Sequence, residues 1–134
     1  MSRVAVVLDA SALRAYADGV IAVGELMSEV ADEGRYVGIP SACLVAARAS
    51  VDEDDTFAAG QIAFLLTVDA VAVLPLDASD VLEVAEYTRA AGGDISMGHA
   101  VCAALAHEAF YVTARPKQAM GVLPAGWDVL NISE

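Results

Sequence analysis

Asp9 closes an apolar run, Val4, Ala5, Val6, Val7 and Leu8, and Ser11 stands two positions beyond it. A continuous apolar run with β-branched members reads as a strand buried in a parallel sheet. A carboxylate at the carboxyl end of such a strand lies where open α/β sheets place their ligand crevices. The competing reading is an Asp that caps the next helix together with Ser11, and the two stand level. Other chemistry-bearing groups read more plainly. Asp52, Glu53, Asp54 and Asp55 imitate a metal site, but four adjacent carboxylates in a loop read as solvated charge at a helix start. Cys43 and Cys102 lie in apolar helical surroundings and read as buried free thiols, and no Cys/His spacing suggests zinc. His107 reads as a rim histidine.

The whole chain of 134 residues fits one domain, spanning residues 1–134. It is 57% hydrophobic but only 6% aromatic, which suits small-residue helices packed on a sheet. Nineteen acidic against seven basic residues give a net charge of −12, a surface that repels phosphate backbones. That balance suits a basic protein partner, or solubility alone. The first apolar run is short and ends in Asp9, so no signal peptide is expected. The apolar stretch 58–76 is interrupted by Gly60, Gln61, Thr67, Asp69 and Pro75, and reads as helix plus strand, not a membrane span. A reducing, cytoplasmic setting is expected from the free thiols.

The elements that must position Asp9 follow in order. Ser11 caps a first helix over 12–16, and Asp18-Gly19 turns the chain. A second helix over 20–31 carries Ile21, Leu26 and Val30 on one stripe, and Gly34 ends it. A strand over 36–39 is closed by Pro40. Ser41 caps a third helix over 42–50, and a fourth follows over 57–68. After a strand over 71–75, Asp77 or Ser79 caps a helix over 80–91, with Leu82, Ala85 and Glu86 at helical spacing. Gly92-Gly93 breaks the chain, and Ser96 caps a helix over 97–108. Strands over 110–113 and 127–132 complete the pattern, with a short turn or helix at Arg115-Pro116-Lys117. Strands alternating with helices predict a parallel sheet covered on both faces.

With the elements in place, the chain resembles a PIN domain, and by its size the toxin-type PIN proteins called VapC. Four features carry the resemblance over nearly the whole length. They are Val-Val-Leu-Asp9-Ala-Ser11, Ile39-Pro40-Ser41-Ala42, Ile95-Ser96-Met-Gly-His99-Ala100, and Val112-Thr113-Ala114-Arg115. The resemblance implies a three-layer α/β/α fold whose five parallel strands run in the order third, second, first, fourth, fifth. It also implies ribonuclease chemistry with Mg²⁺ or Mn²⁺ held by three or four carboxylates. Hard divalent ions want such oxygen ligands, and a bound metal activates water.

Carried over residue by residue, the acid set fails at three of four positions. Asp9 remains, but Ala46, His99 and Arg115 stand where acids are expected. Asp94, just before Ser96, is the best substitute ligand. Arg115, with His99, is expected to point at Asp9 and supply internally the charge a metal would bring; the competing reading has Arg115 reaching out to solvent. The resemblance with this damage implies a PIN-like domain with a degenerate site, working as a non-catalytic interaction or regulatory module with no cofactor. The alternative is a Mg- or Mn-dependent endoribonuclease toxin of a toxin–antitoxin pair, acting on RNA through Asp9 and Asp94. A receiver-like phosphoacceptor domain ranks low, because only one acid follows the first strand. Resemblance extends to a homodimer, with helices 41–50 and 56–68 as its face, and to a basic antitoxin-like or regulatory partner.

Overall fold

The structure is a computed structural model and describes residues 3–133. Its five strands are β1 (Val4–Leu8), β2 (Tyr36–Pro40), β3 (Val71–Leu74), β4 (Phe110–Thr113) and β5 (Val129–Asn131). They form one parallel sheet in the order β3-β2-β1-β4-β5, with helices packed on both faces. This is the expected order. Val7, Leu8, Val37, Ile39, Tyr111 and Val112 have no exposed surface, which explains the unbroken apolar runs of the three central strands. Gly38 on β2 packs so tightly that an added Cβ would come within 2.9 Å of Leu74 and Val4 side chains.

The helices are α1 (Ala10–Ala17), α2 (Ile21–Asp32), α3 (Ser41–Ala49), α4 (Thr56–Leu65), α5 (Val81–Ala90), α6 (Ile95–His107) and α7 (Pro116–Met120); a 3₁₀ turn, Ala78–Asp80, leads into α5. Helix α6 lies across β1, β2 and β4, and every residue from Ser96 to Ala104 is buried. Helix α5 packs outside it, and Gly98 lets the two approach until a Cβ there would collide with Thr88. No described helix is long and apolar enough to cross a membrane.

Several local expectations are corrected. Asp9, not Ser11, caps α1, and Asp94, not Ser96, caps α6. Both helices therefore start two residues earlier than the serines suggest. Neither Asp77 nor Ser79 caps α5 through its side chain; the 3₁₀ turn intervenes. The buried stripe of α2 is Val23, Met27 and Val30, while Ile21 is 74% exposed. On α5 only Val84 is buried, and Leu82 faces solvent. In both helices the alternative apolar stripe satisfies the same 3.6-residue period, so spacing alone does not choose the inner face.

Candidate functional site: a cleft at the carboxyl end of the sheet

Because the strands are parallel, the segments leaving β1, β2 and β4 meet at one end of the sheet. A cleft of about 380 Å³ opens there, lined by Asp9, Ser11, Arg14, Ala46, Ala47, Ser50, Asp94, Ser96, Met97 and Arg115, among others. Two carboxylates and two guanidiniums therefore face one small space.

Asp9 is only 2% exposed and is held from three sides. Its Oδ1 accepts from the Ala12 N–H at 3.0 Å and from the Ser11 hydroxyl at 2.6 Å. Its Oδ2 accepts from the Tyr111 hydroxyl at 3.0 Å. The direction of the next bond follows from proton count. Ser11 has one hydroxyl proton and gives it to Asp9, so Thr113 must be the donor in the 3.1 Å contact between the two hydroxyls. Thr113 in turn accepts from the Arg115 N–H at 2.9 Å, and Ser11 accepts from the Ala114 N–H at 2.9 Å. A relay of hydroxyls thus ties the segment after β4 to the carboxylate after β1. Burial, then the Asp9 charge, pushes the Tyr111 phenol far above its ordinary range and fixes it as a donor.

Asp94 repeats the motif at the start of α6. The Ser96 hydroxyl donates to its Oδ1 at 2.6 Å, and the Met97 N–H donates at 3.2 Å. Asp-x-Ser caps thus face the cleft from both α1 and α6, the carboxylate buried in one and exposed in the other. Cys43 lies between them and donates to the Ser96 carbonyl at 3.1 Å. Burial first, then the charges of Asp9 and Asp94, pushes its thiol well above the ordinary value, so it stays protonated and unreactive.

Of the residues singled out from sequence, Asp9, Ser11, Ala46, Asp94 and Arg115 line the cleft. His99 does not, and its expected orientation toward Asp9 is corrected. Its Nδ1 accepts from the Ala42 N–H at 3.4 Å, at the start of α3. Pro40 occupies the cap position of that helix and has no side chain to offer, so the imidazole serves as its cap from across the fold. Met97, two residues earlier on α6, is the side chain that reaches the cleft. Arg115 is also corrected in part: it lines the cleft, but among the described residues it forms no ion pair with Asp9. The internal hydroxyls have taken the place expected for it.

Arg14 was not singled out from sequence. Its Nε meets both Asp18 oxygens at 3.1 Å and its Nη1 meets the Ser50 carbonyl at 2.6 Å, fastening α1 to the end of α3. Tyr111 was missed as a site residue as well, because inside an apolar strand it reads as core, and Thr113 stands in the Val112-Thr113-Ala114-Arg115 motif with no role of its own assigned to it.

Asp9 Oδ1 already takes two donors, Ala46 offers no ligand, and a guanidinium stands at Arg115. Among the described residues no group of three or more His, Cys, Asp or Glu could hold a metal. Nor is Ser11 poised as a nucleophile, since its oxygen accepts from both Thr113 and Ala114.

Fold and cleft together define a parallel five-stranded α/β domain with a polar crevice at the carboxyl end of its sheet. The sequence matches no protein-family model and no curated protein at a significant level.

Proposed function

We propose that the chain is a PIN-like domain of the VapC type whose metal site is degenerate, and that it works as a non-catalytic interaction or regulatory module, as a homodimer or with a basic partner. The strand order agrees with that reading. The observation that carries it is the internal satisfaction of Asp9: three protein donors occupy the carboxylate that would otherwise ligate metal. A carboxylate so held contributes to folding and has little left to offer a cation.

One observation favours a second reading, a Mg- or Mn-dependent endoribonuclease. Asp9 and Asp94 line the same cleft, and among the described residues one lone pair of Asp9 Oδ2 and the Oδ2 of Asp94 have no protein donor. The test is wild-type protein with Mg²⁺ and with Mn²⁺ on structured and single-stranded RNA, beside Asp9→Asn. No cleavage is expected. Metal-dependent cleavage that vanishes in Asp9→Asn overturns the non-catalytic reading.

A further inference from the structure

The amino end of the sheet, opposite the cleft, carries a second and smaller cavity. The residues leading into β4 and β5 enclose a pocket of about 140 Å³, lined by Glu108, Ala109, Phe110, Gly126, Trp127 and Asp128. Pockets for whole small molecules start at roughly 300 Å³, so this one suits a single head group. Two aromatic residues and two carboxylates share it, in a chain that is only 6% aromatic and has one tryptophan. Among the described residues no basic side chain lines it, and neither carboxylate forms an ion pair.

Parallel pairing brings these groups together. Tyr111 lies level with Val129, and its N–H donates to the Asp128 carbonyl at 3.0 Å. One residue earlier, Phe110 is therefore level with Asp128, and Ala109 with Trp127. The Trp127 indole N–H donates to the Ala109 carbonyl at 3.0 Å, which anchors the ring beside the pocket. Phe110 is 44% exposed, although the rest of β4 is buried. Glu108 adds an independent observation. It ends α6 at φ 52°, and every other positive φ among the described residues belongs to a glycine. Glycine is the usual residue at such a helix end, because a Cβ is strained there. Strain of this kind, at a pocket, points to use of the side chain.

The chemistry is that of cation recognition. Aromatic faces attract ammonium groups, and carboxylates accept their N–H bonds. The net charge of −12 draws cations to the surface as a whole. We infer that this pocket binds the ammonium head of an aliphatic amine, either a lysine side chain of another protein or a free alkylamine.

Trp127 reports on its own site, because the chain has no other tryptophan. Its fluorescence is followed at constant ionic strength during titration with Nα-acetyl-lysine methylamide, n-butylammonium and the neutral Nα-acetyl-norleucine methylamide. Both ammonium probes should give a saturable change, and the norleucine probe should give none. Tighter binding of the lysine probe assigns the pocket to a protein side chain, and tighter binding of butylammonium assigns it to a free amine. Glu108→Gln with Asp128→Asn should weaken ammonium binding about tenfold, and Phe110→Leu about threefold. If the double variant fails to fold, either carboxylate substitution alone should still weaken binding about threefold. The proposal is overturned by no saturable change with either ammonium probe, by an equal response to norleucine, or by binding indifferent to the carboxylate substitutions. Asp9 and the cleft take no part in this measurement, since they lie at the other end of the sheet.

Discussion

The Tyr111 hydroxyl donates to the Asp9 carboxylate at 3.0 Å, across a sequence separation of 102 residues. Tyr111 has no exposed surface and Asp9 almost none, so the bond lies inside the protein. It joins β4 to the residue that follows β1, its neighbour in the sheet. The phenol therefore holds from within a carboxylate that lines the candidate site.

Tyr111→Phe keeps the ring and removes only the donor. The buried Oδ2 then loses its protein partner, which costs about 1–3 kcal/mol. Urea unfolding should show that loss as a lower midpoint at unchanged slope. A variant as stable as wild type would mean that water replaces the phenol, and that Asp9 is open to a ligand from the cleft.

The strand framework was legible because β1, β2 and β4 are buried on both faces, which leaves unbroken apolar runs in the sequence. The cleft was legible at Asp9 from chain direction, since it follows β1, while Ala46 in α3 and Arg115 after β4 came from the resemblance, and all three line it. His99 was misplaced because it sits inside a helix buried along nine consecutive residues, Ser96 to Ala104, where spacing gives no direction. The caps were assigned to serines two residues late because Asp-x-Ser offers two oxygens, and the carboxylate takes the backbone N–H in both copies. The hydroxyl relay through Thr113 depends on pairing between β1 and β4, which no local pattern encodes.

His99 should make stability sensitive to mild acid. Burial lowers its pKa from the ordinary 6.5, opposed by the Pro75 carbonyl and by Asp80. The native state therefore binds fewer protons than the unfolded chain between the lowered value and 6.5. The contribution of neutral His99 is complete above 6.5 and is lost as pH falls through that window. Protonation also removes the Nδ1 acceptor for Ala42. Thermal melts of wild type and His99→Asn from about pH 8 to pH 5 separate this from the general titration of acids. The difference between the two proteins should change below about pH 6.5 and stay level above it. A constant difference across the range would show that His99 keeps one protonation state throughout.

Both thiols should resist modification in the native protein. Cys43 is pushed well above its ordinary value, and burial with Glu83 and Asp80 nearby raises Cys102 to about 11. Little thiolate forms near neutrality, and neither sulfur is accessible. Ellman's reagent should react slowly with folded protein and promptly with both cysteines in guanidinium. Rapid reaction of either one under native conditions would mark local opening of α3 or α6.

Adding acids to the cleft should create a metal response larger than that of the natural sequence. Arg115 stands beside Asp9 and Asp94 there, while Arg14 is paired with Asp18, so a dication entering meets a guanidinium and only two carboxylates. Ala46→Glu with Arg115→Asp would put four carboxylates in the cleft, with Arg14, already paired with Asp18, as the cation in its lining. Self-repulsion among them should destabilise the metal-free variant, and a divalent ion should relieve it. At a hundredfold excess over its dissociation constant, the ion would add about 2.7 kcal/mol, several degrees in melting temperature. Wild type should shift by less than about one degree with Mn²⁺ under the same conditions. An equal shift in wild type would mean that Asp9 and Asp94 already hold metal, and would move the balance to the nuclease reading. A variant that melts lower but ignores Mn²⁺ would show that Asp9 stays committed to Ser11, Ala12 and Tyr111 even when other ligands are supplied.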